Sequence, residues 1–329
     1  MASLTDFRRV AADVRNWGRW GEADELGTLN FITADKVAEA ASLVKHGTVF
    51  PLGVDFGSKG PQGAFAFRHN PIHVMTIDGG DVNTLARYGP AWARNAIAQQ
   101  LSEFVVDNPF RFNDDMIIMP LQAATQWDAL SHVYYDDQLY NGFPASSVTS
   151  LGAYHCGIDK VDGKGITSRG VLLDLVRHRG AQMFLEHGNP IMPEELDDVA
   201  RSQGVAIGRG DIVLIRTGWW ARFLDTGDGA EPGSGLDWRC ASWLRDHDVA
   251  AVAADNLMVE DPVSGVEGTH LPMHMLCLRD MGLMLGEFWD LTALAADCAT
   301  DGVYEFQLVA PPLRVVGAVG SPVNPIAIK

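Results

Sequence analysis

The chain has 329 residues, 47% of them apolar, enough for one large α/β domain or two smaller ones. Its 42 acidic residues outweigh 25 basic ones for a formal charge of -17, and no stripe of lysine and arginine is present. That balance repels phosphate backbones and argues against a nucleic-acid partner.

Four cysteines, Cys156, Cys240, Cys277 and Cys298, lie far apart without a Cys-x-x-Cys. This fits reduced thiols in a cytoplasmic protein. The opening segment Met1–Arg9 carries no apolar core, so no signal peptide is expected. No uncharged apolar run reaches spanning length, so no membrane partner is expected either.

Residues 1–35 read as an N-terminal arm, with Trp17 and Trp20 as aromatic anchors, and 36–329 as a single catalytic domain. Thr33 is placed to cap a helix over Ala34–Val44 that aligns Val37, Ala40, Ala41 and Val44 and ends at Gly47. Strands are expected at Val49–Leu52, Met116–Leu121, Gly170–Leu175, Asp211–Thr217, Val249–Ala254 and Leu313–Gly317. Several are continuous apolar runs, the pattern of strands covered on both faces. Helices are expected over Pro193–Gln203, stopped by Gly204, over Trp238–Asp246 and over Leu271–Met281. Strands interleaved with helices indicate α/β layers. The soft stretches Asp55–Asn70 and Asp225–Gly235 read as loops within one domain.

The chemistry concentrates in Gln122–His132, directly after the apolar run Met116–Leu121. It holds Gln122, Thr125, Gln126, Asp128 and His132. Polar groups at the end of a buried strand are costly unless bonded, and a metal, a substrate or both would satisfy them. Asp128 and His132 share a face on a helix and can converge on a turn. Thr125 reads equally well as a helix cap, and Trp127 as a wall of the site. A second cluster is His270-Leu-Pro-Met-His274, followed by Glu287. Pro272 places His274 inside a helix and His270 before it. Asp128, His132, His274 and Glu287 form a mixed nitrogen and oxygen set suited to a divalent ion.

His73, Tyr134, Tyr135, Tyr140, Trp219 and Trp220 are candidate substrate-lining or core residues. Arg169 and Arg216 are expected to pair with internal acids rather than with a ligand. Asp255-Asn256 follows a strand, as a site or a turn would. No Gly-x-Ser-x-Gly, Walker or dinucleotide fingerprint is present. Cys156 and Cys277 sit in apolar company, where thiols are inert.

These residues resemble the cyclase-like metal-dependent hydrolases, a family that includes bacterial kynurenine formamidases and isatin hydrolases. The family signature is His-x-Gly-Thr-His-x-Asp-x-x-x-His. Thr125, Asp128 and His132 match it, while Gln122 and Gln126 stand at two histidine positions and Ala124 at the glycine. Arg169–Asp174, Gly210–Trp219, His274–Glu287 and Gly320–Pro325 resemble further family blocks. The resemblance implies an α/β, swivelling β/β/α fold in a homo-oligomer, a dimer or tetramer. It implies Asp128, His274 and Glu287 as metal ligands and His132 as acid/base.

Replacing two imidazoles by carboxamides lowers the expected affinity for zinc and favours Mn²⁺ or Mg²⁺. Gln122 and Gln126 either complete a weak metal shell or donate hydrogen bonds to a substrate oxyanion. The expected function is hydrolysis of a non-peptide C–N bond in a small cyclic amide or arylformamide. Manganese or zinc is the expected cofactor. His132, Gln126 and Thr125 would carry the chemistry, with His73, Trp127, Tyr135, Trp219 and His270 lining the substrate. A lyase, cyclase or dehydratase using the same pocket, and a metal-free binding protein, are the alternative readings.

Overall fold

Runs such as Val171–Leu173 and Ile212–Ile215 have no polar side chain to offer water, and each is buried on both faces of a sheet. The computed structural model describes residues 1–63, 67–100 and 112–329, without the side chains of 79, 81–83, 86, 97–100 and 162. Part of the expected Asp55–Asn70 loop, residues 64–66, therefore lies outside the described residues.

The strands are β1 Val49–Pro51, β2 Ile72–Ile77, β3 Asp114–Ile118, β4 Gln126–Asp128, β5 Val148–Thr149, β6 Gly152–Ala153 and β7 Thr167–Asp174. They continue as β8 Ile212–Arg216, β9 Ala251–Ala254, β10 Met284–Glu287, β11 Glu305–Val309, β12 Gly320–Pro322 and β13 Ile326–Ile328. Nine form one sheet in the order β1-β13-β11-β7-β8-β9-β10-β4-β12. The centre, β7 to β10, is parallel, and one aligned row, Val171, Val213, Val252 and Leu285, crosses it. Both wings are antiparallel, and β4 lies between β10 and β12. The mixed α/β sheet agrees with the expected fold class.

Local signals place several helices well. Thr33 accepts the Lys36 N–H at 3.2 Å, although the helix Ala34–Ser42 stops short of Val44 and leaves Ala41 exposed. Pro193 opens the helix Pro193–Gln203, and Gly204 closes it at φ 71°. Among the described residues no helix is long and apolar enough to cross a membrane.

Three expectations are corrected. Met116–Leu121 is not a buried strand: among the described residues β3 pairs only with β2, and Met116, Ile117 and Ile118 are 46%, 47% and 48% exposed. Apolar periodicity identifies a strand but not what covers it. Leu313–Gly317 forms no strand and leaves Val316 exposed; Pro311-Pro312 just before it lacks two backbone donors. Leu271–Met281 is a single turn, Pro272–His274, continuing as a π-helix, Met275–Met281, that ends at Gly282.

The N-terminal arm braces that π-helix. The helix Leu4–Val14 buries Phe7, Ala11 and Val14. Beyond it, Asn16 donates from its backbone to the Asp280 carbonyl and from Nδ2 to the Met281 carbonyl, each at 2.9 Å. The Trp17 indole donates to the Arg279 carbonyl at 2.8 Å. The arm thereby holds the segment that follows His274.

Candidate metal centre and active site

Side chains alternate along β4, so Gln126 and Asp128 share one face and Trp127 takes the other. Register sets Gln126 opposite Glu287 and Asp128 opposite Leu285. Gln126 Nε2 donates to Glu287 Oε2 at 2.5 Å and reaches Asp128 Oδ1 at 3.4 Å. Trp127 points into the core, edge-on to Trp289 with ring centroids 5.0 Å apart, and its indole donates to the Ala310 carbonyl. Trp127 is therefore a core residue and not a wall of the site.

His274 is held by a residue that sequence reasoning missed. Glu260 accepts the backbone N–H groups of Met273 and His274, both at 3.0 Å, and also bonds the His274 ring at Nδ1. A carboxylate suits the N-terminus of a helical turn, and the bond at Nδ1 turns Nε2 toward Glu287. That Nε2 lies 3.3 Å from Glu287 Oε1 and 3.7 Å from Asp128 Oδ2. One ligand atom from each of Asp128, His274 and Glu287 falls within 4.8 Å of the others, and all three residues are buried.

Backbone strain gathers around these groups. Val259, Leu271 and Phe288 have φ of 58°, 51° and 57°, beside Glu260, the His274 turn and Glu287. Left-handed backbone is costly for β-branched and bulky residues, and such residues cluster where geometry is over-determined.

His132 sits in the turn after β4, where its backbone N–H donates to the Ala129 carbonyl. Its Nε2 is 3.7 Å from Asp128 Oδ1, and its side chain keeps 20% exposure. A cavity of about 140 Å³ is lined by His132, His274 and Glu287 together with Phe67, Arg68, Leu257, Met258 and Leu271. A larger cavity of about 500 Å³, between the loop at Gly53–Gly60 and Trp220 and Phe223, contains none of these titratable groups.

Three carboxylates surround one imidazole here, which is an unfavourable charge balance without a cation. Burial pushes Asp128 up to about 6 against the pull of His132, and the Glu287 charge adds to the rise. For His274, burial opposes the charged ring, yet bonds to Glu260 and Glu287 outweigh it and raise the group to about 10. Burial lowers His132 below its ordinary value, against the pull of Asp128. Among the described residues, Gln126 Oε1 and Asp128 Oδ2 are buried with no hydrogen-bond partner. Two orphaned oxygens in the cluster that holds the His274 ring and Glu287 fit a divalent ion that accepts mixed oxygen and nitrogen donors.

The other expected site residues lie elsewhere or are engaged. The Thr125 hydroxyl accepts the Val54 N–H at 2.8 Å and donates to the Phe288 carbonyl at 2.6 Å, so its proton is committed to the backbone. Gln122 Nε2 is buried and, among the described residues, unpartnered beside Gly320, where a Cβ would come within 2.6 Å of it. His73 lies on the exposed β2–β3 ribbon, 2.6 Å from Asp115, and His270 is exposed; neither lines the cavity. Tyr135 donates to Asp280, and Tyr140 to Asp24 on the arm. Trp219 is fully buried, stacked on Phe223 at 5.7 Å, and is a core residue here. Arg169 pairs with Asp211 and Glu305, and Arg216 with Asp174, as expected. Asp255 accepts from Thr217 and Gly218 and so shapes a turn. All four cysteines are buried and free.

No sequence pattern marked Glu260, since its role depends on meeting a turn 13 residues later. Arg68, also missed, is separated in sequence from both motif clusters.

The Cyclase family model matches residues 66–261, a span that includes Gln122–His132 and Glu260 and stops before His274. A crystal structure described as a novel cyclase is 38% identical, with a TM-score of 0.82 over 96% of this chain and 100% of that one. An isatin hydrolase bound to the product analogue thioisatinate is 16% identical, with a TM-score of 0.58 over 90% of this chain and 98% of that one. A structure described as "predicted metal-dependent hydrolase from Bacillus stearothermophilus" is 15% identical, with a TM-score of 0.50 over 86% and 98%. At such identities the last two likenesses show a shared fold. A comparison with curated proteins finds no match. With a family match across more than half its length and a 38% identical relative aligned over nearly all of it, this chain belongs to the cyclase family.

Proposed function

We propose that this chain is a metal-dependent hydrolase of a non-peptide C–N bond in a small cyclic amide or arylformamide. The observation that carries the reading is the convergence of Asp128, His274 and Glu287 within 4.8 Å, with His132 beside Asp128 at the same cavity. Asp128, His274 and Glu287 would hold the ion, with Gln126 Oε1 available to complete the set. When bound, the ion supplies Lewis-acid polarisation of a carbonyl and acidifies water.

The chain's own part is proton transfer and positioning. Burial favours the neutral form of His132, in which Nε2 can take a proton from water as the water oxygen adds to the carbonyl carbon. The C–N bond then breaks, and the same nitrogen returns the proton to the departing amine. The Asp128 carboxylate, 3.7 Å from Nε2, favours the protonated ring that this step forms. The cavity's apolar side chains Leu257, Met258 and Leu271 favour a partly apolar substrate.

Elemental analysis of protein purified without chelator, paired with Asp128→Ala and His132→Ala, tests this reading. Near-stoichiometric metal in the parent, loss of metal in the first variant and loss of turnover alone in the second are expected. A parent protein that stays empty after soaking in Mn²⁺ and Zn²⁺ overturns it.

Gln122 Nε2, buried without a partner among the described residues, supports a second reading, a lyase or cyclase in which carboxamides stabilise an enolate. Oxygen-18 from solvent enters the product only in the hydrolase.

We also propose that the chain forms a homo-oligomer. Support comes from the β2–β3 ribbon, whose Ile72, Met75, Met116, Ile117 and Ile118 are all 45% to 48% exposed.

A further inference from the structure

Arg68 lines the same cavity as His132, His274 and Glu287, yet among the described residues its guanidinium has no carboxylate within ion-pair distance. Its described contact is the Phe67 ring, 5.8 Å from the guanidinium carbon. Several other arginines near buried acids are matched: Arg15 and Arg279 to Asp280, Arg169 to Asp211, and Arg216 to Asp174. A half-buried fork of five donors at a cavity wall is suited to bidentate binding of a carboxylate.

Charge and size narrow what that carboxylate belongs to. A chain of net charge -17 repels an approaching anion. A cation at the cavity wall offsets that repulsion, and Arg68 is close enough to act electrostatically on Asp128 and His132. The cavity's 140 Å³ is close to the roughly 150 Å³ of an apolar protein cavity that holds benzene. Leu257, Met258 and Leu271 supply matching apolar contacts.

We propose that Arg68 is a specificity residue that receives the carboxylate of a single-ring, partly apolar acid, placing the rest of that molecule beside His132 and His274. This rests on reading the cavity as the substrate site. It does not depend on which bond is cut, so its test uses binding rather than turnover.

The probes are benzoate and benzamide, which share a ring and differ in charge. Each is titrated calorimetrically into Mn²⁺-soaked parent protein, Arg68→Met and Arg68→Lys. The parent should prefer benzoate by at least about tenfold, the range of a charge-assisted pair. Arg68→Met should bring the two probes to within about twofold, and Arg68→Lys, a point charge, should retain part of the preference. The proposal is overturned if Arg68→Met keeps the preference, which would place the carboxylate on the metal instead. It is also overturned if the parent shows no preference or does not bind benzoate at millimolar concentration. Preference lost in Arg68→Met without turnover of any amide would sink the hydrolase reading and leave Arg68 in its role.

Discussion

One carboxylate oxygen of Glu260 accepts the His274 backbone N–H at 3.0 Å and also bonds Nδ1 of the same residue's ring, while the other takes the Met273 N–H. Backbone and ring are thus clamped by a single buried side chain. Glu260→Gln keeps an acceptor for one N–H but loses the charge that orients the imidazole. Affinity for Mn²⁺ should fall by about 10- to 100-fold, the usual cost of removing such a partner. Calorimetric titration measures it, and unchanged affinity would show that His274 is oriented by other contacts.

Gln126 occupies the strand position directly opposite Glu287. Gln126→His places an imidazole there and supplies the nitrogen donor that zinc favours. In competition between Zn²⁺ and Mn²⁺, the variant should shift toward zinc by at least about tenfold, or roughly 1.4 kcal/mol. No shift would mean that position 126 does not reach the ion.

The exposed ribbon gives a prediction about assembly. The parent protein should be a dimer or tetramer by light scattering, and Ile117→Glu should drive it toward monomer. Ile117 is 47% exposed within the chain, so the new charge costs little in an isolated copy and much in a buried interface. A parent that is monomeric at micromolar concentration removes the proposal.

Asp255 supplies a pH test outside the metal centre. Burial raises its carboxyl from 3.8 to about 6 despite bonds from Thr217 and Gly218. The folded state therefore holds this proton more tightly than the unfolded one. Its contribution is most favourable below pH 3.8 and is lost as pH rises through about 6. The stability difference between parent and Asp255→Asn should move against the parent by up to about 3 kcal/mol across that window. Denaturant melts at stepped pH measure it, and parallel curves would show that Asp255 titrates normally.

Much of the plan was readable from residue order. The apolar runs forming β7, β8 and β9, the Thr33 cap and the Gly204 stop are local, because side-chain period and backbone preference act within a few residues. The residue types able to hold an ion were also visible, since Asp128, His274 and Glu287 stand in recognisable company. Their convergence was not, because it needs the β4–β10 register to bring Gln126 and Asp128 alongside Glu287.

Composition and periodicity specified an acidic, α/β chain with a ligand-rich segment after an apolar strand. The three-dimensional packing decided that Trp127 faces the core, that Met116–Ile118 lie open, that Thr125 serves the backbone and that Glu260 grips His274. The reason is physical. Local order sets which way a side chain leaves its strand or helix, whereas burial and partnership depend on segments that arrive from elsewhere in the chain.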